Sequence, residues 1–132
     1  MSKAEIQRQF DYAVRQVIKQ GRPAHHAKKG GCYRMKRGDT TLKCPVGWLI
    51  PDAYFMKYPE HIDNTEASDL DLSAYSYPRM KPFARKRSLL EALQLAHDDA
   101  ATELRLKSDF VADFLWRARE VAQNSGLKWN FK

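Results

Sequence analysis

The chain is short of several things, and each shortage excludes a class. Two cysteines among 132 residues are too few for a disulfide framework, and in a reducing compartment such residues are most often buried thiols. No apolar run approaches the ~20 residues of a membrane span, and the N-terminus lacks the apolar core of a secretory signal. The sequence therefore predicts a cytoplasmic protein with no membrane partner. Also missing is any recognisable catalytic constellation. No nucleophile stands with a base at a familiar spacing, so the sequence predicts no enzyme, no cofactor and no metal site.

Three groupings test that absence. His25, His26, Cys32 and Cys44 invite a zinc reading, but structural zinc sites bring cysteines in close pairs and here eleven residues separate two lone ones. Asp63, Glu66, Asp69 and Asp71 lack the fixed glycine and final glutamate of a calcium loop and read as a solvated face. His97-Asp98 lies in the middle of a helical pattern. It reads as a hydrogen-bonding group at the core edge, because adjacent helix residues do not face one another.

What is present describes one globular domain over residues 1–132, with 43% hydrophobic and 30% charged residues. The net charge of +7 is unevenly spread. Residues 1–50 hold eleven Lys or Arg against three acids, residues 51–77 one against six, and residues 78–132 eleven against seven. A basic chain with an acidic middle suits either a polyanion partner or a soluble protein that neutralises part of its own surface.

Three amphipathic helices follow from the spacing of apolar residues. Ser2 and Glu5 form a capping box ahead of the stripe Ile6, Phe10, Ala13, Val14, Val17 and Ile18, which Gly21 and Pro23 end. Ser88 and Glu91 open a second stripe of Leu89, Leu93, Ala96, Ala100 and Leu104. Ser108 caps a third, with Phe110, Val111, Phe114, Leu115, Ala118, Val121 and Ala122, and Gly126 terminates it. The tail alternates Leu127, Trp129 and Phe131 with polar residues, as a short strand or extended arm does. Between the first two helices, residues 24–30 read as a basic loop and residues 54–77 as an irregular connection with a helical turn at each end.

The stretch from Gly31 to Asp52 is different in kind. Gly38-Asp39 suits a two-residue hairpin turn, which pairs Arg37 with Thr40 and continues to Tyr33 with Cys44. This register places Tyr33, Met35, Leu42 and Cys44 on one apolar face and Arg34, Lys36, Thr41 and Lys43 on the other. A three-residue loop would bring Cys32 and Cys44 face to face but would mix the faces, so it ranks second. Pro45 marks the strand's edge or end. Val46 to Ile50 reads as a buried run turning into a short helix, with Pro51 in its first turn and Asp52 near its positive end. The predicted fold is α+β and mainly helical, with three long helices round one core and a small antiparallel hairpin.

The segments Cys32-Tyr33-Arg34, Lys43-Cys44-Pro45-Val46-Gly47-Trp48-Leu49-Ile50-Pro51-Asp52-Ala53-Tyr54 and Leu93-Gln94-Leu95-Ala96-His97-Asp98 resemble a pattern found in a group of small bacteriophage-encoded proteins. The group has no established activity, so the resemblance carries over no catalytic residue. It implies a phage accessory protein in the cytoplasm of a bacterial host, acting by binding a host or defence protein and inhibiting or redirecting it. Tyr33, Arg34, Trp48, Tyr54 and Tyr58 are the expected binding surface, since aromatic and arginine side chains dominate interface energetics. The alternative is a sequence-tolerant nucleic-acid binder using Lys28, Lys29, Arg34, Lys36, Arg37, Arg79, Lys81, Arg85, Lys86 and Arg87. In that reading Met80, Pro82 and Phe83 stand among the cations for base stacking.

Overall fold

A computed structural model describes residues 3–26, 30–31, 33–58, 70–102 and 109–131, and the long helices lie where the apolar spacing predicts them. The first, α1 (Lys3–Gln20), turns Ile6, Phe10, Ala13, Val14 and Val17 inward, because residues three and four apart share a helix face. It ends at Gly21, whose φ of +73° is a left-handed conformation without penalty for glycine. Ser2 of the first capping box, Leu104 and Ser108 lie outside the described residues.

The central stretch holds the two-residue turn. β3 (Arg34–Arg37) and β4 (Thr40–Lys43) pair antiparallel as Arg34 with Lys43, Met35 with Leu42, Lys36 with Thr41 and Arg37 with Thr40. Tyr33, Leu42 and Cys44 accordingly point into the core. A second, minimal pairing joins β1 (His25–His26) to β2 (Gly30–Gly31), where the sequence predicts only loop. Two histidines and two glycines give no hydrophobic alternation by which a strand could be recognised.

After β4 the expected single helix is two. Pro45 begins α2 (Pro45–Leu49) rather than merely ending the strand, since its fixed φ and missing N–H suit a first helical position. Cys44 caps this helix, its Sγ accepting from Gly47 N–H at 3.3 Å. Ile50 is extended (φ −99°, ψ 125°) because the ring of Pro51 disfavours helical geometry in the residue before it. The chain restarts as α3 (Asp52–Lys57), with Pro51 as its cap residue.

Two 3-10 turns, Leu72–Ser76 and Lys81–Phe83, lead into α4 (Arg87–Thr102) and α5 (Asp109–Asn124). α4 starts one residue before Ser88, so Ser88 stands within the first turn and not at the cap. α4 and α5 pack together, with His97 edge-on to Phe110 and Arg117 3.7 Å from Asp99. α5 closes with Leu127 N–H on the Ala122 carbonyl (2.8 Å) and Gly126 N–H on that of Gln123 (3.4 Å). Gly126 has φ +70°, and together these make a Schellman ending.

Two glutamines of α1 act as backbone substitutes. Gln7 accepts from Lys128 N–H at 2.8 Å and donates to its carbonyl at 3.0 Å, laying the C-terminal arm along α1. Gln20 does the same to Lys43, at 2.9 and 3.0 Å, tying the outer edge of the hairpin to the helix end. Among the described residues, the five α-helices, the hairpin and the two 3-10 turns adjoin one core cluster that includes Phe10, Tyr33, Tyr54, Phe83, Leu90 and Phe114. Among the described residues no helix is long and apolar enough to cross a membrane.

Candidate functional site

The cap at Cys44, the break at Ile50-Pro51 and the turn at Tyr77-Pro78 together leave a surface cleft of about 370 Å³. Its floor is Leu49 and Ile50, each 1% exposed. Trp48, Pro51, Tyr77, Pro78 and Tyr12 of α1 also line it. Buried Tyr54 stands behind it, edge-on to Tyr77 at 6.2 Å and tilted against Tyr58 at 4.9 Å, so it sets the position of Tyr77. Pro51 and Pro78 fix their own φ, which stiffens the lining at both positions.

Two cations belong to this cleft. The Arg79 guanidinium lies over Tyr12, its Cζ 3.6 Å from the ring centroid, and donates to Gln9 Oε1 at 3.0 Å. Lys43 Nζ stands 5.0 Å from the Trp48 ring and 3.1 Å from Asp52 Oδ1. Asp52 also meets Arg34 Nε at 3.6 Å. Its side chain is largely exposed, so these ion pairs orient the lysine and arginine more than they stabilise the fold, at about 0–1 kcal/mol.

The predicted binding surface is only partly assembled here. Trp48 lines the cleft, and Tyr58 and Arg34 are half-buried nearby. Tyr33 and Tyr54, at 1% and 0% exposed, are corrected from surface to core. Tyr33 follows the inward face of the hairpin, and Tyr54 the inner face of α3, too short a helix to declare its stripe. Sequence reasoning did not find Tyr12, Tyr77, Lys43, Pro51 and Pro78 as site residues. A signal for three of them was present, since Tyr12 falls off the apolar stripe of α1 and Tyr77-Pro78-Arg79 joins an aromatic, a rigid turn and a cation.

The described members of the nucleic-acid set differ in their surroundings. Arg79 belongs to the cleft, and Arg87 stands 5.0 Å from the ring of Tyr75. Met80, Pro82 and Phe83 are buried and present no ring or chain for bases to stack on. Lys36, Lys81, Arg85 and Lys86 are exposed. Arg37 is placed by its pairing with Thr40, and Lys28 and Lys29 lie outside the described residues, as do Cys32, Asp63, Glu66 and Asp69. Asp71, the described member of the acidic run, accepts from Ser73 N–H at 2.9 Å.

Cys44, Gln94, His97 and Asp98 meet where α2 crosses α4, as a polar network that is buried except at the half-exposed Asp98. His97 Nε2 accepts from Ala24 N–H at 3.1 Å, which leaves the proton of the neutral ring on Nδ1, donating to Asp98 Oδ1 at 2.8 Å. The two neighbours do therefore meet, contrary to the expectation from helix geometry, although His97 is fully buried rather than at the core edge. Both imidazole nitrogens are occupied by these two partners. Gln94 Nε2 donates to the same carboxylate at 3.1 Å. Among the described residues no three or more of His, Cys, Asp and Glu are grouped as metal ligands.

Burial pushes the Cys44 thiol up. The Gly47 N–H opposes this, Asp98 adds to it and Gln94 opposes it again. The folded protein thus keeps a proton that the unfolded chain releases near pH 8.5. Stability from this site is complete below that pH and is lost as pH rises above it, at about 1.4 kcal/mol per pH unit. Urea midpoints measured from neutral to alkaline pH in a Cys32→Ser background are expected to show this added fall, and Cys44→Ala is expected to lack it. Parallel pH profiles for the two proteins would refute the assignment.

Compared with protein-family models, with curated proteins and with solved structures, the chain matches none.

Proposed function

We propose that this is a protein-binding module, a small phage accessory protein that engages a host or defence protein in the bacterial cytoplasm and inhibits or redirects it. The observation that carries the reading is the cleft: three aromatic rings and two prolines over an apolar floor, with Arg79 and Lys43 at its edge. Aromatic and arginine side chains held on a stiff rim are the composition of an interface hot spot, since little freedom is lost when a partner covers them. The phage context rests on the resemblance of the residues around Cys44 and His97.

A second reading, sequence-tolerant nucleic-acid binding, is supported by Lys81, Arg85 and Lys86, which are exposed and form no ion pair among the described residues. Affinity capture from bacterial lysate with and without nuclease separates the two. One dominant host protein that survives nuclease is the expected result. Ribosomal and DNA-associated proteins that vanish with nuclease would favour the second reading.

A further inference from the structure

We infer that the cleft seats an acidic linear segment of its partner, with an apolar side chain on the Leu49–Ile50 floor and flanking carboxylates on Arg79 and Lys43. This rests on the protein-binding reading and specifies the chemistry of the partner.

Three observations carry it. First, the residues lining the cleft include two cations and no carboxylate. Asp52 offsets part of the charge of Lys43, and Arg34 stands beside it, so the region stays positive. Second, the cations sit on the rings. Arg79 covers Tyr12 at 3.6 Å and Lys43 approaches Trp48 at 5.0 Å, so these faces are already occupied and poorly suited to stacking a nucleic-acid base. An arginine held against a ring offers its outer N–H groups in a fixed plane, which suits the two oxygens of a carboxylate. Among the described residues, Gln9 accepts from Arg79, leaving N–H donors of the exposed guanidinium for a partner. Third, a volume of about 370 Å³ is at the small end of ligand pockets. It fits one or two side chains of an extended segment.

Two labelled peptides test this by fluorescence anisotropy: one with a Phe-Leu centre flanked by aspartates, the other with the same centre flanked by lysines. The aspartate peptide is expected to bind about tenfold more tightly at low salt, with the advantage shrinking as salt screens it. Arg79→Glu is expected to reverse the order, and Trp48→Ala to weaken both peptides. Arg79 is exposed, so its replacement leaves the core intact, which circular dichroism checks. Equal binding of the two peptides, or an order unchanged in Arg79→Glu, overturns the proposal. So does displacement of the aspartate peptide by a single-stranded oligonucleotide, or self-association that Trp48→Ala abolishes, which would make a second copy the occupant. If a captured host protein depends on Trp48 but is not displaced by the aspartate peptide, the acidic segment is wrong and the protein-binding reading stands. If neither depends on Trp48, both fall.

Discussion

Replacing Gly47 by alanine is expected to cost more than about 4 kcal/mol, well beyond the effect of a typical point substitution. Helix propensity alone predicts the opposite sign, since alanine in a helix interior is favoured over glycine by roughly 0.5–1 kcal/mol. Space decides the matter. A Cβ on Gly47 would lie 1.8 Å from the Tyr33 carbonyl oxygen and 2.8 Å from its carbon, with the Lys43 Cβ at 3.3 Å. Those first two atoms are backbone, and they belong to the start of the hairpin. Relief therefore means moving α2 away from Tyr33, the residue before β3, opening the core at Leu42 and Cys44. For a chain of this size the melting temperature should fall by roughly 15 °C or more, if the variant folds at all. A Gly47→Ala protein melting within a few degrees of wild type would contradict the close approach of α2 to Tyr33.

His97→Ala is expected to be the next most damaging change, at about 3–5 kcal/mol. The ring is fully buried and its removal leaves a cavity against Phe110. It also leaves Ala24 N–H without its acceptor and removes one of the two donors to Asp98 Oδ1, that of Gln94 remaining. His97→Phe separates these contributions. It keeps most of the volume but none of the hydrogen bonds, so it should recover part of the loss while remaining about 1–3 kcal/mol less stable than wild type. Denaturant midpoints on the three proteins check this. Equal stability of His97→Phe and wild type would show that the hydrogen bond to Ala24 contributes nothing.

Both residues illustrate what a sequence reveals and what it hides. The stripes of α1, α4 and α5 are written at regular spacing, and the hairpin register follows from Gly38-Asp39 and from alternation alone. That register already placed Tyr33 inward, and assigning the same residue to a binding surface ran against it. Short elements were less legible. α2 and α3 have five and six residues, too few for a period to show, and their separation depends on the restriction that Pro51 places on Ile50. The cleft was hidden for another reason. Its lining comes from positions 12, 43, 48–51 and 77–79, and only packing brings these together. The clamps by Gln7 and Gln20 are invisible in the same way, because a glutamine that will bond a distant backbone looks like any solvated glutamine.

The most direct test of the proposed binding site is the dissociation constant of any host protein captured from lysate, measured for wild type, Trp48→Ala and Trp116→Ala. Trp116 is 59% exposed on α5 and lies outside the cleft, so it controls for the loss of any surface tryptophan. Trp48→Ala is expected to weaken binding about thirtyfold, equivalent to about 2 kcal/mol, while Trp116→Ala stays within about twofold. Undiminished binding by Trp48→Ala, or a loss confined to Trp116→Ala, would show that the partner is held elsewhere and that the cleft is not the binding site.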